Sequence, residues 1–352
     1  MSGTTPADVV CLGESMVTFL PSRPGRLADV PSFDRGIGGA ESNVACALAA
    51  AGHRAAWVSR VGADGFGDHL VEAVAAYGVD TSSVRRDPSR PTGIYFRTAT
   101  DRATDVHEVA YYRAGSAASA MSPVTVPCDA LPSGRILHLS GITAALSADC
   151  RALLQELTAP RAGRPLISFD VNYRPGLWRG EPAAVLLDLA RRADVVFVGE
   201  DEAQEAWGVV GAAAIREALP EPGVVVVKRG ADGVTVFSRE PGLRTAPRAS
   251  NAGGADEVTH VPALRVDVVA PVGAGDAFAA GFLSATLRGL PVPARARHGH
   301  LMAAAVLTVP GDLTAPPARE HADRLTALDD DAWGRLRLGP GWTGDDTEVR
   351  TP

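Results

Sequence analysis

Apolar residues in this chain gather in short, β-rich runs that alternate with segments of helical spacing. The runs are DVVCLG (8–13), AAWVSRVG (55–62), RILHLSG (135–141), PLISFDVN (165–172), DVVFVGE (194–200) and GVVVVKRG (223–230). Continuous apolar strands separated by helices predict a parallel sheet covered on both faces, a three-layer αβα arrangement of the α/β class. Helices are expected over 41–51, 67–77, 149–159, 182–191 and 274–287; in the second, Leu70, Val71, Val74 and Tyr77 recur at helical spacing.

Two stretches break the alternation. Residues 15–36 and 91–113 pattern as strands and turns without crossover helices, and in the second GIYFRTAT and HEVAYYR flank the polar DRATD as the arms of an antiparallel hairpin. Together they predict a small β-sheet lid beside the main domain; ordinary surface hairpins are the plainer alternative. Residues 239–259 and the tail from about 338 are polar, rich in Gly, Pro and Ala, and aperiodic, so they read as a long mobile connection and a loose end.

Composition narrows the chemistry. A chain of 352 residues, 46% hydrophobic, can bury a large core, and a net charge of −7 with no basic stripe argues against nucleic acid and for a small-molecule partner. The N-terminus lacks the basic and apolar regions of a signal peptide and no apolar run is long enough for a membrane span, so a cytoplasmic protein is expected, with no membrane partner. Cys11, Cys46, Cys128 and Cys150 lack CxxC spacing and read as inert thiols in a reducing compartment. Lys228 is the only lysine and stands outside any GxxxxGK[ST] loop, which excludes a P-loop NTPase; the lysine, HRD and DFG set of protein kinases is absent too.

The most informative stretch is VVAPVGAGDAFAAGF (268–282), in which an apolar run meets a Gly-Ala-Gly turn, an aspartate and a helix. A helix start built from such small residues lets the backbone N–H groups of Gly273, Ala274, Gly275 and Asp276 converge on an anion. Asp276 beside them can take a proton from an attacking hydroxyl while the amides stabilise charge on a transferred phosphoryl group. The helix dipole favours its ionised form and predicts a weak base, which phosphoryl transfer tolerates. Taken alone, an acidic residue near a helix start is equally a capping feature.

This stretch resembles the C-terminal signature of the ribokinase-like carbohydrate kinase family. GGAESNVACALAAAG (38–52) is similar to the family's N-terminal glycine pair, asparagine and helix, and VGADGFGDHL (61–70) to the VGxDxxG that follows; the resemblance covers roughly 8–325, leaving 1–7 and 338–352 as tails. It implies the ribokinase-like αβα fold with lid segments about 15–36 and 91–113, and ATP-dependent phosphorylation of a sugar. Four stretches, GGAESNVA, YYRAGSAASAMSP (111–123), LHLSGITAALS (137–147) and SFDVNYRPGLW (168–178), resemble the branch of the family that acts on the terminal hydroxyl of 2-keto-3-deoxygluconate, a sugar acid.

By the same resemblance, Gly38, Gly39, Ala40, Glu41 and Asn43 fall in the sugar-contacting motif, and Tyr95 and Tyr111 cover the sugar. Arg113 and Arg174 fall near the substrate, where guanidinium groups suit a carboxylate; Arg174 can alternatively serve phosphate, and both can be surface residues. Asp312 is an additional substrate contact. Asn172, Lys228, Gly230 and Gly233 match nucleotide positions. His300 stands where an asparagine is common near the adenine, and Glu202 matches the glutamate of an NxxE segment that organises Mg²⁺, although Gly199 replaces its asparagine. A monovalent-cation requirement stays open. Homo-oligomerisation through the lid is expected, because an exposed sheet edge finds a partner.

Three other readings remain. The same chemistry can act on a neutral sugar such as fructose or ribose, or on a nucleoside. The fold can serve as a catalytically silent sugar binder. An NAD-dependent dehydrogenase is disfavoured, because neither GIGGAE nor VGAGDAF completes GxGxxG in a first βαβ unit.

Overall fold

The structure, a computed structural model, describes residues 6–23, 25–98, 108–179, 183–239 and 255–344. Eight strands form the central sheet in the order Glu257–Val261, Val234–Ser238, Val224–Lys228, Val195–Gly199, Leu166–Asp170, Gly134–Ser140, Ala7–Leu12, Ala55–Val58. The six from Val224–Lys228 onward are parallel; the first two are antiparallel additions at one edge.

Successive residues of a strand point to opposite faces, and here both faces are apolar. Val9, Cys11, Phe197 and Val226 enter one core with Phe278, Phe282 and Leu301, while Val10, Leu12, Phe169 and Val198 enter the other with Leu153, Leu186 and Ile215. Each sheet face therefore needs a helical layer, which gives the expected αβα sandwich. Ser140, Asp170, Gly199 and Lys228 end neighbouring parallel strands on one side, the carboxyl edge where open α/β sheets bind ligands.

Residues of the two irregular stretches meet in a separate four-stranded sheet ordered Phe33–Gly38, Met16–Pro21, Ile94–Arg97, Val109–Tyr112. The last two strands are antiparallel, as the arms of the expected hairpin; its DRATD tip lies outside the described residues. Register divides the sheet's faces: Thr18, Tyr95 and Tyr111 lie across from one another, whereas Phe19 and Phe96 pair on the opposite face with Phe33 and Tyr112 against them.

Helices cover Ala40–Ala50, Gly65–Ala76, Ala148–Thr158, Ala183–Arg192 and Ala274–Leu287, each within two residues of the expected span where described; Pro182 lies outside the described residues. Three expectations are corrected. AAWVSRVG splits into Ala55–Val58 in the main sheet and Arg60–Gly62 paired with Arg85–Asp87, where Arg60 forms a 2.6 Å ion pair with Asp87. The connection 239–259 runs into the edge strand Glu257–Val261, whose mostly exposed side chains hide the strand pattern; 240–254 lie outside the described residues. Finally, the packed body continues past 325 through helices Arg319–Thr326 and Asp330–Arg335, and Trp333, Leu338 and Trp342 are buried, so the chain from 338 to 344 is anchored by apolar side chains.

Candidate active site

The helix Ala274–Leu287 begins at Gly273, whose φ of +77° is in the left-handed region, and a Cβ there would lie 2.5 Å from the Asp312 carbonyl oxygen. Both facts require glycine. Beyond it, Ala277, Phe278, Phe282 and Leu283 pin the helix to the core, so its first N–H groups hold a fixed direction. Asp276, in the first turn, accepts a 2.8 Å hydrogen bond from Asn43 Nδ2 on the helix Ala40–Ala50.

Withdrawal from water, reinforced by Asp170 and Asp312 and opposed by Asn43 and Lys228, pushes the Asp276 carboxyl up to about 7. This corrects the expectation of a weak base: desolvation and acidic neighbours outweigh the helix dipole. A carboxylate poised near neutrality suits proton acceptance from a hydroxyl.

Lys228 donates to both carboxylate oxygens of Asp170, at 3.0 and 3.2 Å, and its Nζ would be 3.8 Å from a Cβ at Gly275. The only lysine therefore reaches the Gly-Ala-Gly turn. Its pKa is raised because Asp170, Glu202 and Asp276 outweigh burial, so it is held cationic.

A second group of residues lies under the small sheet. A Cβ at Gly38 would come within 2.5 Å of the Tyr95 hydroxyl and 2.8 Å of Asp312 Oδ2, so the glycine permits close approach. Tyr95 donates to Asp312 Oδ2 at 3.1 Å, and Arg97 Nη2 donates to Asp312 Oδ1 at 2.6 Å. Tyr111 stacks obliquely 5.4 Å from Tyr95 and is more than half exposed. Gly39 caps the helix that carries buried Ala40 and Asn43.

Both arginines are paired with carboxylates. Arg113 Nε donates to Glu14 Oε2 at 2.7 Å, and Glu14, 2% exposed, also accepts from Ser116. Arg174 is exposed and makes a 3.5 Å contact with Glu202 Oε1, at the end of the site away from the small sheet. Glu41 is buried, accepts from Ser140 and Thr143, and burial raises its pKa.

An open groove of about 1190 Å³ is lined by Gly230, Pro262, Val266, Val268 and Leu307. Gly230 and Gly233 both have positive φ, forming the turn that borders this groove. The His300 ring is buried between Phe278 and Trp333 and contacts the Val261 carbonyl at 3.3 Å, one residue from Pro262 of this groove; burial pushes its pKa down to about 4 and holds it neutral. Asn172 adopts φ 40°, the only positive value outside glycine among the described residues, just beyond Asp170.

A family model described as pfkB family carbohydrate kinase matches residues 6–319. The chain belongs to this family. Among curated relatives, a Bacillus subtilis 2-dehydro-3-deoxygluconokinase is 35% identical, covering 89% of this chain and 93% of that protein. A Thermoproteus tenax protein of the same name is 34% identical, covering 92% and 96%. A solved PfkB protein from Polaromonas sp. JS666 superimposes with a TM-score of 0.74 at 34% identity, covering 92% of this chain and all of that one. A sugar kinase from Pyrococcus horikoshii, solved in complex with ATP, gives 0.72 at 25% identity over 89% and 96%.

For a pfkB carbohydrate kinase, a phosphotransferase, the NxxE-like segment offers Glu202 beside Glu200 and Asp201, of which Glu200 pairs with Arg229. Glu202 Oε2 accepts from the Gly199 N–H at 2.8 Å, and Arg174 sits over Oε1. No group of three metal-ligating side chains exists among the described residues. The donors suit Mg²⁺ held mainly by phosphate oxygens and water, the manner in which this ion is usually bound, and not a protein cage.

Three residues with evident places in this kinase site were not singled out in the sequence. Asp170 stands in SFDVNYRP at a strand's carboxyl end, a position that signals ligand chemistry in an α/β sheet. Glu14 follows the first strand in LGES, and Arg97 falls two residues after Tyr95, on the same strand face. No helix among the described residues is long and apolar enough to cross a membrane.

Proposed function

We propose that this carbohydrate kinase transfers the terminal phosphoryl group of ATP to the terminal hydroxyl of 2-keto-3-deoxygluconate, with Asp276 as general base. The observation that carries the reading is Asp276 beside the Gly273–Asp276 amides, facing residues of a lid on one side and Lys228 on the other. The hydroxyl oxygen bonds to phosphorus as its proton passes to Asp276, and the bond from phosphorus to ADP breaks. The N–H groups of Gly273, Ala274 and Gly275 and the Lys228 ammonium take up charge on the moving phosphoryl oxygens. The nucleotide occupies the groove bordered by Gly230 and Gly233, and Mg²⁺ arrives on its phosphates near Glu202.

The sugar binds between Gly38, Gly39, Asn43 and Asp312 below and Tyr95 and Tyr111 above. Arg113, oriented by Glu14, meets the substrate carboxylate through its remaining nitrogen, while Arg174 serves the phosphate side. The relatives' shared substrate name supports the acid over a neutral sugar.

ADP release is measured with MgATP and 2-keto-3-deoxygluconate, fructose, ribose or gluconate. Selective turnover of the keto acid is the expected result; preference for fructose or ribose discards the acid reading and keeps the kinase. Arg113→Ala should raise KM for the keto acid about tenfold or more, the scale of one lost charge-assisted hydrogen bond, with KM for ATP nearly unchanged. Repeating the assay in potassium and in tetramethylammonium buffer reads the monovalent-cation requirement.

The outer lid face gathers Phe19, Phe33, Phe96 and Tyr112 around exposed Phe66, an apolar patch suited to a second copy of the chain. Phe96→Glu should lower the mass measured by light scattering to that of a monomer; a monomeric wild type rejects the assembly.

A further inference from the structure

The ion pair between Arg97 and Asp312 is nearly sealed from water: Arg97 is 3% exposed and Asp312 9%. It joins the lid strand Ile94–Arg97 to the loop that follows the helix Val292–Leu307. On its other side, the Asp312 backbone abuts Gly273, and its side chain faces Gly38. Asp312 therefore touches the lid, the sugar-motif glycine and the anion-binding turn together.

A carboxylate in this place stays ionised only with a cation against it. Burial raises the Asp312 pKa, and Arg97 is the first influence that lowers it, with the Tyr95 hydroxyl second. From the helix Ala274–Leu287, Asp276 faces the same space, and its negative charge opposes ionisation of a second acid. From the helix Ala40–Ala50 comes only the neutral Asn43, which shares a small cavity with Asp312. Arg113, the cation assigned to the substrate, is held by Glu14 instead.

We propose that Arg97 is a positioning residue of the kinase site: it holds Asp312 ionised and aimed into the sugar pocket, so that lid seating and pocket charge depend on one ion pair. This rests on the sugar binding between Asp312 and the lid, as argued above. Without the guanidinium, Asp312 takes up a proton more readily, and once protonated it accepts less well from a substrate hydroxyl. Its backbone loses the tether that keeps it against Gly273.

Two measurements test this. KM for the sugar and for ATP, and kcat, are followed from pH 6 to 8.5 in wild type, Arg97→Met and Arg97→Lys. In Arg97→Met, sugar KM should rise tenfold or more at pH 6 and relax as pH increases, while ATP KM changes less than twofold; Arg97→Lys should restore a wild-type pH profile. A KM rise with the wild-type pH dependence makes Arg97 merely structural and overturns the proposal.

Thermal unfolding provides a substrate-free readout. Arg97→Met should lose most melting temperature at pH 8, where Asp312 is ionised and unpaired, and less at pH 6; adding Asp312→Asn should remove that pH dependence. A pH-independent deficit in both variants also overturns the proposal. If unfolding behaves as expected but no sugar acid is turned over, the substrate assignment fails and the Arg97–Asp312 linkage stands.

Discussion

Asp276→Asn is expected to lower kcat by about 10²–10⁴-fold, the usual contribution of a positioned general base, with little change in KM for ATP. The substitution preserves shape and can keep a contact with Asn43, so the loss isolates proton acceptance from packing. Since the Asp276 pKa is pushed up to about 7, kcat/KM of the wild type should fall roughly tenfold per pH unit below neutrality and level off above it. A rate that stays flat from pH 8 down to 5.5 assigns proton removal to another group.

The same carboxyl carries a cost in stability. The folded chain holds its proton up to about pH 7, whereas the unfolded chain releases it near 4. Stability contributed by this group is therefore present at low pH and is lost as pH rises through that window. Asp276→Asn removes the penalty: its melting temperature should exceed that of the wild type at pH 8, with the advantage fading toward pH 4. An inactive variant that is also more stable at pH 8 marks Asp276 as a functional strain; one less stable at every pH marks it as structural.

How much of this was readable in the chain follows from the range of each interaction. The apolar strands and the helix Ala274–Leu287 announce themselves because both are set by neighbours a few residues apart, and Gly273 to Asp276 compress a glycine turn and an acid into four positions. The helix Val292–Leu307 did not. Arg295 and Arg297 are buried within it, the first donating Nε to the Leu290 carbonyl and the second pairing with Asp330, and they break the apolar stripe that marks a helix. The packing of His300 was hidden for a related reason: its ring fills a gap between Phe278 and Trp333, a role invisible before the helices are docked.

The charges of the site were the least legible part. Arg113 and Arg174 look alike in sequence, yet one is clamped by Glu14 under the lid and the other is exposed beside Glu202. Asn43 and Asp276 are 233 residues apart, and Arg97 and Asp312 are 215 apart. Local patterning supplies candidates for such pairs but cannot match them. Pairing also changes chemistry, since an arginine already neutralised by a buried glutamate orients a ligand more than it attracts one from a distance.

Gly273→Ala should damage both activity and stability. At φ +77° an alanine costs about 1–2 kcal/mol through backbone strain alone, and its Cβ would stand 2.5 Å from the Asp312 carbonyl oxygen. That neighbour is backbone, so relief requires the turn or the loop to move. Either motion displaces the N–H groups that must point at the phosphoryl oxygens, and misplacing one such donor typically costs about 10²–10³-fold in kcat. The expected result is at least that loss, together with a lower melting temperature, while a fluorescent ATP analogue still binds because the groove beside Gly230 is untouched. Gly275→Ala is the control, for its Cβ would meet only Lys228 Nζ, at 3.8 Å. It should fold as the wild type and lose less activity; equal loss in both variants would mean that the turn tolerates no side chain at all, and that backbone conformation at Gly273 is not the deciding feature.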